Sequence, residues 1–453
     1  MHPTENKMGT MPVFRLLVTM ALPMIVSMMV QALYNIVDSI YVSQISENAL
    51  TAVSLAFPVQ NLMIAVGTGT GVGFGALLSR ALGEKDQAEA NRLAEHGIFL
   101  AVLSYLVFLV VGLAASRTFF TVQTDVAEIV DGGEQYMFIV TVFSFGLFFQ
   151  LALEKLMQAT GRTLLSMLTQ GLGAVLNIIL DPIFIFTLDM GIAGAAVATV
   201  VGQIIAAAFG FWLNARYNRE IKLEMRRFRP QMATIRRIYS IGFPSIIMAS
   251  IGSVMTFCMN KILIGFTETA ATVFGVYFKL QSFVFMPLFG VSNSMIPILS
   301  YNYGARSRSR MIAVIRYTAF LAVGFMLFGV LMMWLFPGPL LLMFNASENM
   351  LGIGKPALRL ISLSFPLAAF GITCSSSFQA LGRGVLSMLV SITRQLVVLV
   401  PAAWLLAQSG VLNAVWLSFP IAEIVSMILC AIFFWRIYHR IIKPVGEVTQ
   451  DCA

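Results

Sequence analysis

Residues Gln158–Arg162 read QATGR, and 221 positions later Gln379–Arg383 read QALGR. The likeness spreads outward at the same offset. LSML starts at Leu165 and again at Leu386, and Pro23/Pro244, Gln60/Gln281, Gly69/Gly290 and Gly83/Gly304 form further matched pairs. A constant offset over so long a stretch means one design written twice in a single chain. The surrounding sequence is 58% hydrophobic and only 11% charged, with a mean hydropathy of +0.86, whereas soluble domains carry about 25% charged residues. The duplicated design therefore belongs in a bilayer. Duplicated membrane proteins are most often transporters, because two halves rocking around a central site give alternating access.

Apolar blocks of roughly 20 residues or more suffice to cross the hydrocarbon core as helices, and the two-residue alternation of a membrane barrel is absent. The expected fold is an all-α integral membrane protein of about twelve transmembrane helices in two pseudo-symmetric six-helix lobes. The spans fall near 15–42, 51–78, 96–116, 136–159, 163–187, 193–215, 238–264, 271–299, 317–335, 356–381, 385–407 and 413–435. Residues 1–215 form an N-terminal lobe, 216–237 a basic linker and 238–453 a C-terminal lobe. Arg15–Val42 has no cleavage site behind it and reads as a retained first span.

Every alternate connection is basic: Arg80, Lys85 and Arg92; Arg162; the run Arg216–Arg237; Arg306–Arg316; Arg383; and Arg436–Lys443. The opposite connections carry Glu47, Asp125, Glu128, Asp131, Glu134, Asp189, Glu268 and Glu348. The positive-inside rule then places both termini and the linker on the cytoplasmic side of a multi-pass plasma-membrane protein. The net charge of +8 is thus a topology signal and not a nucleic-acid footprint. Cys258, Cys374, Cys430 and Cys452 are scattered without a CxxC pair, and His2, His96 and His439 fall at segment ends, so the spacing builds no metal site. No cofactor is implied, and a membrane enzyme would lack its nucleophile–base pair.

A charge inside a membrane is costly and marks function by default. The deep acids are Asp38, Glu154, Asp181 and Glu423; the deep bases are Lys155, Lys261, Lys279 and Arg394. Asp38 shares a helical face with Tyr34 and Asn35, and Asp181 with Asn177. Pro182 follows Asp181 and removes a backbone donor, freeing the carbonyl of Ile178. The topology sets Tyr136 and Thr199 at similar depth. Two carboxylates with amide, phenol and hydroxyl neighbours can hold one proton between them or offer oxygens to Na⁺; alternatively they cap backbone defects near a kink. The second copy lacks the acids, since Asp38 aligns with Met259 and Asp181 falls near Ala402. Glu423 and Arg394 read as a buried ion pair, Lys261 as a snorkelling base, and Lys279, beside Tyr277 and Gln281, as a cavity residue. Glu154 with Lys155 is either a relay or a local pair. Pro23 and Pro182 are the hinge candidates. The run Gly67, Gly69, Gly71, Gly73, Gly75 lacks the Lys–Ser/Thr of a phosphate loop and reads as a helix-packing surface.

NIVDSIYV (Asn35–Val42), QATGR and QALGR, LNIILDP (Leu176–Pro182) and YNYGAR (Tyr301–Arg306), in this order and duplicated, resemble the MATE family of multidrug and toxic compound extrusion transporters. The resemblance covers about Phe14 to Arg436. It implies a monomeric secondary antiporter that exports cationic or amphipathic compounds in exchange for H⁺, with Na⁺ the alternative ion. It also implies coupling through Asp38, Tyr136, Asn177, Asp181 and Thr199. The substrate cavity or proton relay would draw on Tyr34, Asn35, Gln60, Glu154, Lys279, Gln281 and Arg394. Partners are then small molecules, the coupling ion and membrane lipid. A flippase for lipid-linked precursors, from the same superfamily, is the competing expectation, because Lys279 and Arg394 leave room for a basic cavity.

Overall fold

The computed structural model describes residues 6–446 apart from Met225, Arg227 and Asn345. His2, Cys452 and Arg227 thus lie outside the described residues. Helices occupy nearly all of the rest, and no strand occurs among the described residues. The first copy contains α1 (Lys7–Thr10), α2 (Val13–Ser43), α3 (Glu47–Gly83), α4 (Gln87–Thr121), α5 (Ala127–Val142), α6 (Phe145–Ala159), α7 (Thr163–Pro182) and α8 (Gly191–Tyr217). The second contains α9 (Met232–Ile264), α10 (Glu268–Gly304), α11 (Arg308–Leu335), α12 (Pro337–Leu342), α13 (Glu348–Ser362), α14 (Phe365–Ala380), α15 (Gly384–Ile392), α16 (Val400–Ala407), α17 (Leu412–Trp416) and α18 (Ser418–Ile437).

Among the described residues, ten helical stretches are long and apolar enough to cross a bilayer, rising to twelve when two bent pairs count as one span each. The bent pairs are α5 with α6 and α13 with α14, each angled at 46°. The fourth expected span, 136–159, thus starts nine residues late, because hydropathy marks only the bilayer core while the helix runs on through Asp131 and Glu134 to Ala127. The third behaves likewise: Asp86 caps α4 by accepting from Glu89 N at 2.9 Å, well before residue 96.

The motif pair that revealed the duplication is a repeated helix stop. Gly161 and Gly382 take φ of +82° and +76°, a region that only glycine enters freely. Arg162 N then donates to Met157 O, and Arg383 N to Phe378 O, both at 2.7 Å. This six-to-one bond closes each helix and reverses the chain. In the first copy Gln158 Nε2 also donates to Ser166 Oγ at 2.9 Å, joining QATGR to LSML across the turn.

Packing divides the chain into two compact units, Val26–Ile246 and Met1–Ile25 with Ile247–Ala453. The division therefore falls inside α2 and α9 and not in the linker. Ile25 and Ile246 are themselves related by the 221-residue offset, so each copy lends the first half of its first helix to the other unit. The first unit (Val26–Ile246) has one core around Phe74, Phe108, Phe148 and Leu156 and another around Phe120, Tyr136, Ile185 and Val200. The second unit is built around Phe274, Tyr277, Phe365 and Trp416.

The glycine run explains how α9 enters the first unit. Gly67 and Gly71 meet Leu151 and Lys155 of α6, and Gly75 faces Ala159. Gly69 and Gly73, offset by half a turn, meet Ile246, Gly242 and Ile238 of α9. One helix thus presents two glycine faces, each with a spacing of four, to two partners. In the second unit Gly290 receives Ile25, and Ser294 Oγ donates to Met24 Sδ at 3.0 Å.

A Cβ on Gly73 would collide with the Ile238 carbonyl, whereas one on Gly75 would rest 3.8 Å from the Ala159 methyl. Gly73→Ala should cost about 1–3 kcal/mol through forced backbone separation. Gly75→Ala should be neutral or stabilise by up to about 1 kcal/mol through helix propensity. Thermal unfolding of the two purified variants in one detergent checks the ordering.

Candidate functional site

Five helices of the first unit converge on one polar cluster. Tyr34 and Asp38 come from α2, Gln60 from α3, Tyr136 from α5, Asn177 and Asp181 from α7, and Thr199 from α8. The crossing of α7 and α8 is set by glycine: a Cβ on Gly202 would stand 3.1 Å from the Gly173 carbonyl and 3.7 Å from Asn177 Cβ. That close approach brings Thr199, just under one turn before Gly202, within reach of Asn177. Asn177 Nδ2 donates to Thr199 Oγ1 at 3.2 Å and to Asp181 Oδ1 at 3.3 Å. Asn177, Asp181, Tyr136 and Thr199 are buried.

The two acids meet here. The Asp38 and Asp181 carboxyl groups lie within hydrogen-bonding reach of one another. Gln60 Nε2 donates to the Tyr136 hydroxyl at 3.0 Å, leaving that hydroxyl its own proton to give, and Asp38 is the charged group acting on it most strongly. Tyr34 lies within the electrostatic range of Asp38, Asp181 and Glu154. Asp38 Oδ1, Asp181 Oδ2 and Asn177 Oδ1 are buried without a hydrogen-bond partner. Buried acceptors of this kind cost about 1–3 kcal/mol each when left unsatisfied. The cluster is therefore short of donors, and what it can take up is a proton or a small cation. Pro182 ends α7 directly behind Asp181, and a wider π-helical turn follows at Ile183–Thr187. Such turns are frequent where function displaces a helix from regularity.

Other residues named from sequence are placed differently. Asn35 is exposed, its carbonyl accepting from Ser39 Oγ at 2.9 Å. Three residues of separation leave it off the Asp38 direction. Glu154 is buried and accepts from Gln150 Nε2 at 2.9 Å, while Lys155 turns to Gln158 Oε1 at 3.0 Å, its stem lying against Gly71. Gln150 was missed, although its spacing of four from Glu154 is the signal that finds it. A bond of 2.9 Å between Gln170 Nε2 and Gln31 Oε1 ties α7 to α2 and was likewise unforeseen. Pro23 is buried within α2, two residues before the unit boundary.

In the second unit Arg394 Nη1 donates to Glu423 Oε1 at 3.0 Å, with side chains 22% and 12% exposed. Glu423 Oε2 and Ser426 Oγ are buried without partners, both beside Gly371. Arg394 belongs to a π-helical stretch, Thr393–Leu399. Lys279 is exposed, with Nζ 5.8 Å from the centre of the Phe344 ring, and Gln281 is half-buried.

The MatE family profile matches residues 23–183 and again 244–405, the same two copies that the internal offset defines. The chain is 25% identical over 444 residues to the multidrug export protein MepA of Staphylococcus haemolyticus (strain JCSC1435), covering 97% of each chain. It is 24% identical over 443 residues to MepA of Staphylococcus aureus (strain MRSA252), with the same coverage. Among solved structures, an outward-facing multidrug resistance MATE family transporter of the MOP superfamily superposes with a TM-score of 0.91 at 27% identity, covering 97% of this chain and 99% of that one. A MOP superfamily transporter from Pyrococcus furiosus superposes with a TM-score of 0.90 at 27% identity over the same shares, and its structure is described as having a binding pocket of reverse polarity. The chain belongs to the MATE family of membrane transporters.

Proposed function

We propose that this chain is a multidrug efflux antiporter that exports cationic or amphipathic compounds and takes protons in exchange through Asp38 and Asp181. Relatives covering 97% of the chain carry the name multidrug export protein, which supports the efflux reading. The observation that supports the coupling is the proximity of two carboxyl groups, each with one buried oxygen, Asp38 Oδ1 and Asp181 Oδ2, that has no donor. One proton placed between them converts an acceptor–acceptor contact into a hydrogen bond and removes a charge from an apolar interior.

Sodium would have to be caged by several oxygens at once. Three buried oxygens, on Asp38, Asp181 and Asn177, lack a hydrogen-bond partner. A proton needs no cage, and so H⁺ is the preferred ion. Tyr34, within electrostatic range of Asp38, Asp181 and Glu154, is the residue we assign as relay between the pair and the Gln150–Glu154 contact. The flippase reading draws less support, since Glu423 neutralises Arg394 and Lys279 sits exposed over Phe344.

With the membrane potential clamped in proteoliposomes, export should follow an imposed proton gradient and ignore a sodium gradient. A rate that tracks Na⁺ at constant pH reassigns the same residues to a sodium site.

Asp38→Asn and Asp181→Asn keep shape and hydrogen-bonding capacity but cannot titrate. Each should cut concentrative export by about tenfold or more, the equivalent of about 1.4 kcal/mol in coupling, while substrate counterflow down its own gradient continues. Undiminished uphill export by Asp38→Asn would remove Asp38 from the mechanism.

The basic connections support a linker inside the cell. Arg226→Cys in a cysteine-free background should react with an impermeant maleimide only after permeabilisation, and labelling of intact cells would invert the topology.

A further inference from the structure

The connection between the two copies is strapped to α4 in register. Gln87 Nε2 donates to the Glu220 carbonyl, Lys222 N to Asn91 Oδ1 at 2.9 Å, and Glu224 N to Glu95 Oε1 at 3.1 Å. On α4 the partners are spaced by four residues and on the strap by two. Four helical residues rise about 6 Å and two extended residues about 6.6 Å, so the two ladders match. Ile221 and Leu223 pack into the apolar core around Phe74 and Leu93.

The last rung is His96, and it differs from the others. Its side chain is 1% exposed, and both ring nitrogens are engaged. Nδ1 stands 2.8 Å from the Arg92 carbonyl, which only accepts, so Nδ1 carries the proton. Nε2 stands 3.0 Å from Gln231 N, which only donates, so Nε2 is the bare acceptor. One neutral tautomer satisfies both contacts, and the imidazolium satisfies only the first. Phe228 closes over the ring, its centroid 4.9 Å away.

Gln231 immediately precedes α9, and its carbonyl accepts the first helical bond from Ile235 N at 3.1 Å. Arg237, on the next turns, bridges to Glu89 of α4 at 2.7 Å. His96 therefore fixes the starting point of the helix that leaves the first unit at Ile246. The charged groups around the ring are Glu89, Arg92 and Glu95 from α4, Lys222, Glu224 and Arg229 from the strap, and Arg237 from α9; several border a cavity of about 440 Å³ between α4 and the strap. Acids and bases are mixed around the ring.

We propose that His96 is a pH-sensitive latch: neutral, it clamps the strap and the first turn of α9 to α4, and protonated at Nε2 it turns two N–H groups against each other and releases them. Histidine is the side chain whose charge ordinarily changes between about pH 5 and 8, and the opening follows from the loss of one buried acceptor. This latch is independent of which ion drives transport.

Hydrogen exchange of the full chain in lipid nanodiscs tests it, reading peptides that cover residues 229–235 at about pH 8 and about pH 5.5, after correction for intrinsic rates. The wild type should lose protection by about tenfold on acidification, the scale of one hydrogen bond. His96→Gln supplies an acceptor that does not titrate and should hold protection at both pH values, while His96→Ala should be open at both. A wild-type strap indifferent to pH, or a His96→Gln strap that opens like the wild type, overturns the proposal. Should the variants misfold, ¹⁵N spectra of the wild-type histidines decide: Nδ1–H at about pH 8 and imidazolium at about pH 5.5 are required, and an Nε2–H ring or one neutral throughout refutes the latch.

Discussion

Helices in a bilayer gain little by hiding apolar surface from lipid, so their association depends on how closely their backbones approach. Several of the contacts described above rest on such an approach. The two glycine faces of α3 admit α6 on one side and the leading half of α9 on the other. The Gly173–Gly202 crossing brings α8 onto α7 and so delivers Thr199 to Asn177. The polar atoms are held by bonds of ordinary length; what makes those bonds available is the absence of Cβ atoms at a handful of places.

The duplication shows what happens when such a crossing is rewritten. Gly173 and Gly202 correspond, 221 residues on, to Arg394 and Glu423. Where the first copy lets two backbones touch, the second inserts an ion pair and a π-helical stretch. Asp38, Asn177, Asp181 and Thr199 correspond in turn to Met259, Val398, Ala402 and Pro420. The second copy lacks both acids and the Asn177–Thr199 pair, and it carries one charge-neutral pair in the corresponding two helices. Replacement of both partners of such a pair by apolar groups is often tolerated, whereas removal of one is not. The pair is intact beside two unsatisfied atoms, Glu423 Oε2 and Ser426 Oγ.

The parts of this organisation legible in sequence are those that stand out against an apolar background. Acids within hydrophobic runs are conspicuous, and helical spacing converts Asn177 and Asp181 into neighbours at once. The repeat was legible because Gly161 and Gly382 must be glycine for the chain to turn. Other features had no such mark. Gly173 and Gly202 are two glycines among 35, and their meaning depends on which helices cross. Asn35 sits on the edge of the Asp38 face, and spacing alone does not tell an edge from a centre. His96 reads as a residue at a span end until the linker is seen to fold back on it. The bend between α5 and α6 has no proline to announce it.

The exchange of half-helices gives the acids a mechanical connection that the sequence-level lobes do not suggest. Asp38 lies in the part of α2 belonging to the first unit, while Met24 and Ile25, on the same helix, pack on Ser294 and Gly290 in the second. Fourteen residues separate Met24 from Asp38, about 21 Å along a continuous helix. Pro23 removes one backbone bond just where the helix changes units, so bending there costs less than elsewhere along its length. On the proposed coupling, a proton taken up at Asp38 would change which groups that carboxyl can bond, and so how the far half of α2 is held. The near half is already committed to the other unit. The proposed coupling would then need no long relay of side chains, because the helix that carries the acid is itself divided between the two units.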